Sequence, residues 1–110
     1  MNEDEKINLL IDYESLDEFL DEHFLVLREF AFDEEPMIRS MTAAHLVQYT
    51  SESAKELLLM LANDDDSFVR TEAYDSLAVF SSEDVQSFLH EAIKDERDYL
   101  ARSYAILAYA

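Results

Sequence analysis

The apolar residues of this chain recur mainly at intervals of three or four, the spacing that places side chains along one face of an α-helix. The first such stretch runs from Glu3 to Tyr13, and a second opens at Asp12 or Ser15 and continues to Ala31. Five further apolar stripes follow, at residues 36–49, 54–62, 68–80, 85–93 and 98–110. The pattern therefore predicts an all-α protein of about seven helices.

The same pattern of residues occurs twice, in 33–63 and in 64–94, so the sequence contains a repeat with a period of 31 residues. A third copy begins at Asp95 and stops halfway, and residues 1–32 form a divergent helical pair. A short helical unit that cannot bury its apolar face alone must stack on its neighbours. We therefore expect one domain over residues 1–110, divided into units at 1–32, 33–63, 64–94 and 95–110.

Each of the two full copies begins with an aspartate, followed by an aliphatic residue at five, arginine at six and leucine at thirteen positions further on. This pattern resembles the first helix of HEAT repeats, and the matching residues are Asp33, Pro36, Ile38, Arg39, Thr42 and Leu46, then Asp64, Ser67, Val69, Arg70, Ala73 and Leu77. The resemblance implies a right-handed α-α superhelix that serves as a scaffold or adaptor. It also implies a structural ladder of aspartate and arginine pairs, formed by Asp33, Arg39, Asp64, Arg70 and Asp95.

The composition removes several functional classes. The chain has no glycine, which phosphate-binding loops and nucleophile elbows need, and no cysteine for disulfides or thiolate metal sites. Its net charge of -18 repels nucleic acid and anionic lipid, and no apolar run is long enough to cross a bilayer. We expect a cytoplasmic protein whose partner is another protein, a basic one by charge complementarity, and neither nucleic acid nor membrane.

No residues group into a recognisable catalytic or metal-binding motif. The three histidines, His23, His45 and His90, lie on different predicted helices, and the acidic run that begins at Asp64 lacks the glycine and closing glutamate of a calcium loop. We therefore expect no enzyme activity, no cofactor and no metal site.

The repeat also points to a candidate binding surface. When the second helices of the units are aligned, Leu59 and Met60 fall at positions that are polar in the other copies. Second helices line the concave side in HEAT-like solenoids, so the resemblance places these two residues on that surface as an exposed anchor. The residues expected around them are Glu56, Arg28, His90 and Glu91.

Other functions stay open beside the scaffold. One is a bacterial immunity or antitoxin-like inhibitor, whose acidic surface masks a basic toxin such as a nuclease. Another is a cofactor lyase, an activity that some HEAT-like families have. The last helix, from Asp98 to Ala110, is apolar around most of its circumference, so we expect either a longer solenoid or self-association through this helix.

Overall fold

The computed structural model describes residues 1–110, and all of its regular structure is helical. The α-helices are α1 (Glu3–Tyr13), α2 (Asp21–Phe30), α3 (Pro36–His45), α4 (Glu52–Leu61), α5 (Ser67–Leu77), α6 (Glu83–Asp95) and α7 (Tyr99–Tyr109). One 3₁₀ turn, Leu46–Gln48, extends α3. The prediction of an all-α solenoid of about seven helices is confirmed.

The helices form two layers. Helices α1, α3, α5 and α7 lie side by side in the first layer, and α2, α4 and α6 cover one side of it. Between the layers lies a continuous core of 20 buried apolar residues, to which every α-helix contributes. The helices of the second layer make few or no close backbone contacts with one another.

Small side chains explain why the first layer is the tighter one. Ala43, Ala73, Ala101 and Ala105 are fully buried there, so neighbouring helix backbones approach closely. Ser76 Oγ on α5 donates a hydrogen bond of 2.8 Å to the Ala43 carbonyl on α3. The first-layer helices therefore pack against one another more closely than the second-layer helices do.

The first connection is longer than the sequence pattern suggested. Helix α1 ends at Tyr13 and α2 begins only at Asp21, so Leu16 and Phe19 lie in a turn rather than on a helix. The Leu20 N–H donates to His23 Nδ1 at 3.2 Å, which fixes the start of α2. The apolar spacing predicts a helix here, but Phe19 packs on the Tyr49 ring from the turn, with 5.9 Å between the ring centroids.

Candidate functional site

Three turns between second-layer and first-layer helices share one construction. A carboxylate in each turn accepts a hydrogen bond from the backbone N–H two residues further on: Asp33 from Glu35, Asp64 from Asp66, and Glu96 from Asp98. This local bond is the one that aspartate commonly makes in turns. Each carboxylate is thereby held in place just before the following first-layer helix.

Each of these carboxylates also binds a cation from the preceding first-layer helix. Lys6 pairs with Asp33, Arg39 with Asp64, and Arg70 with Glu96. The guanidinium of Arg39 binds both oxygens of Asp64, at 2.8 and 3.0 Å, and also the backbone carbonyl of Asp33 at 2.7 Å. One arginine thus joins its own turn to the next one, which holds neighbouring units in register.

The structure differs from the expected ladder at its two ends. Arg70 binds Glu96 and not Asp95, because Asp95 is the exposed last residue of α6 whereas Glu96 begins the turn. Lys6 forms the first rung, which the sequence pattern missed because the divergent first unit lacks the aspartate and arginine signature. The signal that could have found it is a cation 33 positions before Arg39.

The electrostatics of these pairs are those of structural ion pairs. Burial opposes ionisation of Glu96, but hydrogen bonds from Arg70, the Asp98 backbone and Tyr74 outweigh it and lower its pKa to about 2. The pKa values of Asp33 and Asp64 are lowered in the same way, with burial opposed by Lys6 and by Arg39. These carboxylates are fully engaged, so they offer no free ligand position.

A separate ion pair joins α4 and α6 of the second layer. Lys55 on α4 is a buried lysine whose ammonium contacts Glu52 at 2.9 Å and Asp84 at 2.7 Å. Asp84 lies at the start of α6, and hydrogen bonding by Lys55 is the main cause of its pKa near 2. The pair connects α4 and α6, which otherwise make few close contacts.

The anchor expected on the second helices is only partly exposed. Leu59 is half-buried and packs against the core, while Met60 keeps 37% of its surface exposed. The residues expected around them, namely Glu56, Arg28, His90 and Glu91, are exposed. Met60 is therefore the one large apolar side chain that this patch presents to solvent.

A larger apolar surface lies on the opposite, first-layer side. Met37, Phe68 and Leu100 each stand two positions before the arginine at the same place in successive helices, Arg39, Arg70 and Arg102. Their exposed fractions are 58%, 67% and 48%. We call the outward side of the first layer the first-helix face; it carries Ile11, Met37, Met41, Ala44, Phe68, Glu72, Asp75, Leu100, Tyr104 and Leu107.

A shallow depression of about 140 Å³ lies within the first-helix face. It is lined by Glu14, Ser40, Met41, Ala44, His45 and Glu72. Glu72 has no ion-pair partner, and partial burial together with the charge of Asp75 raises its pKa. The depression therefore combines apolar side chains with an uncompensated carboxylate.

The histidines take part in packing. His23 and His45 stack edgewise on Tyr13, with ring centroids 5.0 and 6.5 Å apart, and His90 lies 5.6 Å from the Tyr109 ring. Burial lowers the pKa of His45, which favours its neutral form. No group of three histidine or acidic residues is arranged to hold a metal ion, and no helix is long and apolar enough to span a bilayer.

Comparison with known proteins identifies the family. The model of HEAT repeats matches residues 20–110, which is most of the chain. The chain therefore belongs to the HEAT-repeat family, as the sequence pattern predicted. Neither the curated proteins nor the solved structures contain a significant match. HEAT repeats generally mediate contacts between proteins and are typically non-catalytic scaffolds.

Proposed function

We propose that this chain is a protein interaction module, a scaffold or adaptor, that binds a basic protein on the first-helix face. Stacked helical repeats create extended surfaces rather than closed pockets. The net charge of -18 favours a partner of opposite sign and repels phosphate backbones. Because HEAT repeats are typically non-catalytic scaffolds, we propose that this chain is not an enzyme, and, as expected from the sequence, that it acts in the cytoplasm.

The observation that carries this proposal is the exposed apolar row formed by Met37, Phe68 and Leu100. Single exposed apolar side chains are common on monomers and need no explanation. Here the same position is apolar and exposed in three neighbouring first-layer helices, so the side chains lie in a row across α3, α5 and α7. Contiguous apolar surface rimmed by polar residues is typical of protein interaction sites.

The patch around Met60, with Leu59, Glu56, Arg28, His90 and Glu91, remains the rival surface. It lies on the second layer and mixes both signs of charge, whereas the one exposed lysine or arginine on the first-layer helices is Arg102, which binds the Ile93 carbonyl. A partner docked there would contact α2, α4 and α6 instead of α3, α5 and α7.

The inhibitor function is a special case of the same proposal. A small protein with an acidic binding surface is suited to act as an immunity or antitoxin-like inhibitor, which masks a basic toxin such as a nuclease. The identity of the protein bound at the first-helix face distinguishes the two functions: a toxin indicates an inhibitor, and any other protein indicates a scaffold. No residue cluster in the structure supports a cofactor lyase.

Self-association through α7 is a second proposal, and it uses a different surface. Ile106 occupies the place of Ala43 on α3 and Tyr74 on α5, which the following unit buries, yet Ile106 is exposed. Arg102, at the place of Arg39 and Arg70, binds only the Ile93 carbonyl. We propose that a second copy of the chain covers this end.

Photo-cross-linking in the source cell tests the proposed function. A photoreactive phenylalanine analogue is placed at Phe68, at Met60, or at the exposed control position Glu83, and cross-linked proteins are identified by mass spectrometry. We expect one basic protein to be captured from position 68 and not from position 83. The same protein captured only from position 60 moves the site to the second layer, and no capture from either position contradicts the proposed function.

A further inference from the structure

The apolar row on the first-helix face has a spacing that can be compared with peptide geometries. Packed helices are about 8–10 Å apart, so Met37, Phe68 and Leu100 follow one another at about that interval. Seven residues of an α-helix rise about 10 Å, at 1.5 Å per residue. A helix that crosses α3, α5 and α7 can therefore place an apolar side chain near each member of the row every second turn.

The absence of a sheet edge on this face favours a helical partner peptide over an extended one. The row lies in the first turns of three helices, and the structure has no strand, so the face offers no sheet edge. An extended peptide needs such an edge to satisfy its N–H and C=O groups, whereas a helix satisfies them internally. The surface therefore fits the mode in which an amphipathic helix lays its apolar side on a groove.

The unpaired carboxylates of the first-helix face favour basic residues on the polar side of the partner helix. Glu14, Glu72 and Asp75 take part in none of the ion pairs of the structure. Every cation on α1, α3 and α5 is bound within the ladder, as Lys6, Arg39 and Arg70. The depression beside Met41 and Glu72 can accept the ammonium or guanidinium group of a partner without displacing a cation of the chain.

We infer that the first-helix face binds a basic amphipathic helix of a partner protein. The helix lies across α3, α5 and α7, its apolar side contacts Met37, Phe68 and Leu100, and a lysine or arginine pairs with Glu72. This inference rests on the proposed function and specifies the chemistry of the partner at that surface.

Three designed peptides test the inference with the full chain. The first is a helical peptide with leucines on one face and lysines on the other, the second replaces its lysines by glutamates, and the third replaces its leucines by serines. Binding is measured by fluorescence anisotropy of the labelled peptide at low and at high salt. We expect the leucine–lysine peptide to bind at least about tenfold more tightly than either of the others, a difference of about 1.4 kcal/mol.

Variants of the chain locate the binding site. Phe68→Ser is expected to weaken binding about tenfold or more, as loss of an apolar anchor does, and Met60→Ser is the matched control on the other layer. Glu72→Gln is expected to weaken binding of the leucine–lysine peptide and to reduce its salt dependence. Because all three side chains are largely or partly exposed, circular dichroism should show unchanged folding. Amide chemical shifts should change on α3, α5 and α7.

Several outcomes overturn the inference. Equal binding of the lysine peptides with and without leucines indicates attraction by net charge alone. Shift changes confined to α4 and α6, or an unchanged affinity after Phe68→Ser, place the site elsewhere. Binding to neutral lipid vesicles that is lost with Phe68→Ser identifies a membrane as the occupant. If the peptides fail while a protein is cross-linked from position 60, the proposed function stands and this inference falls. If the peptides bind but no cellular protein is cross-linked, the first-helix face has the inferred binding chemistry, but the proposed function falls and with it the assignment to a partner protein.

Discussion

The guanidinium of Arg70 binds both carboxylate oxygens of Glu96, with Nε at 2.7 Å from Oε1 and Nη2 at 2.9 Å from Oε2. The same guanidinium donates to the carbonyls of Asp64 and Asp65, in the turn before its own helix. Glu96 in turn accepts from the Asp98 N–H and from the Tyr74 hydroxyl. Two turns and two first-layer helices are therefore joined through one ion pair.

Removing either partner of this pair should destabilise the fold. Glu96 has 3% of its side chain exposed, and Arg70→Ala leaves its carboxylate without a cation, so we expect the free energy of unfolding to fall by about 1–3 kcal/mol. Urea denaturation followed by circular dichroism measures the change. Asp95→Asn is the matched control, since Asp95 is exposed and outside the ladder, and it should have little effect. An unchanged stability of Arg70→Ala together with loss of partner binding would assign Arg70 to the binding site instead.

The same pair predicts a defined pH dependence. The pKa of Glu96 is about 2 in the folded chain against an ordinary 4.5, so folding favours its charged form. Its contribution to stability is present above pH 4.5 and is lost as the pH falls from there towards 2. We expect the stability difference between the wild type and Glu96→Gln to be constant at neutral pH and to shrink over that window. Taking the difference cancels the change in net charge that both proteins share, and a gap that stays constant down to pH 2 would contradict the assignment.

The close contact between α3 and α5 should tolerate no increase in side-chain size. Ser76 is buried and bonds the Ala43 carbonyl, so Ser76→Leu forces the two helices apart and is expected to cost about 1–3 kcal/mol or more. Ser76→Ala is the matched control: it keeps the close approach and loses one hydrogen bond, at about 0.5–1.5 kcal/mol. Thermal unfolding compares the two variants. A leucine variant as stable as the alanine variant would show that the first layer is not tightly packed.

The fold could be predicted because the repeat reports it directly. The spacing of Asp33 and Arg39, and of Asp64 and Arg70, indicates the family and the helical stacking. The division at residues 33, 64 and 95 stays a prediction, since the family match runs continuously over residues 20–110. The late start of α2 could not be predicted, because the turn residue Phe19 is held by a distant aromatic contact with Tyr49.

The binding surface was harder to predict, since the exposed fraction of a side chain depends on how the helices pack. Apolar residues at Leu59 and Met60 were out of pattern in sequence, but Leu59 is half-buried in the folded chain. Met37 and Phe68 were not out of pattern, because each copy of the repeat carries an apolar residue there. A residue that every copy shares looks structural in the sequence, and only the exposed fraction reveals that it faces solvent.

The open side of α7 gives the last prediction. Ile106 is 44% exposed at a position where Ala43 and Tyr74 are buried by the next unit, and the exposed Tyr109 lies one turn further along the helix. We expect the wild type to self-associate weakly at high concentration in sedimentation velocity, because one helix side buries less area than the roughly 800 Å² per partner of a stable complex. Ile106→Glu should abolish the association without loss of folding, and Phe68→Ser, on the first-helix face, should leave it unchanged. A wild type that remains monomeric at the highest concentration, with α7 protected from amide exchange, would rule out a second copy as the cover of this surface.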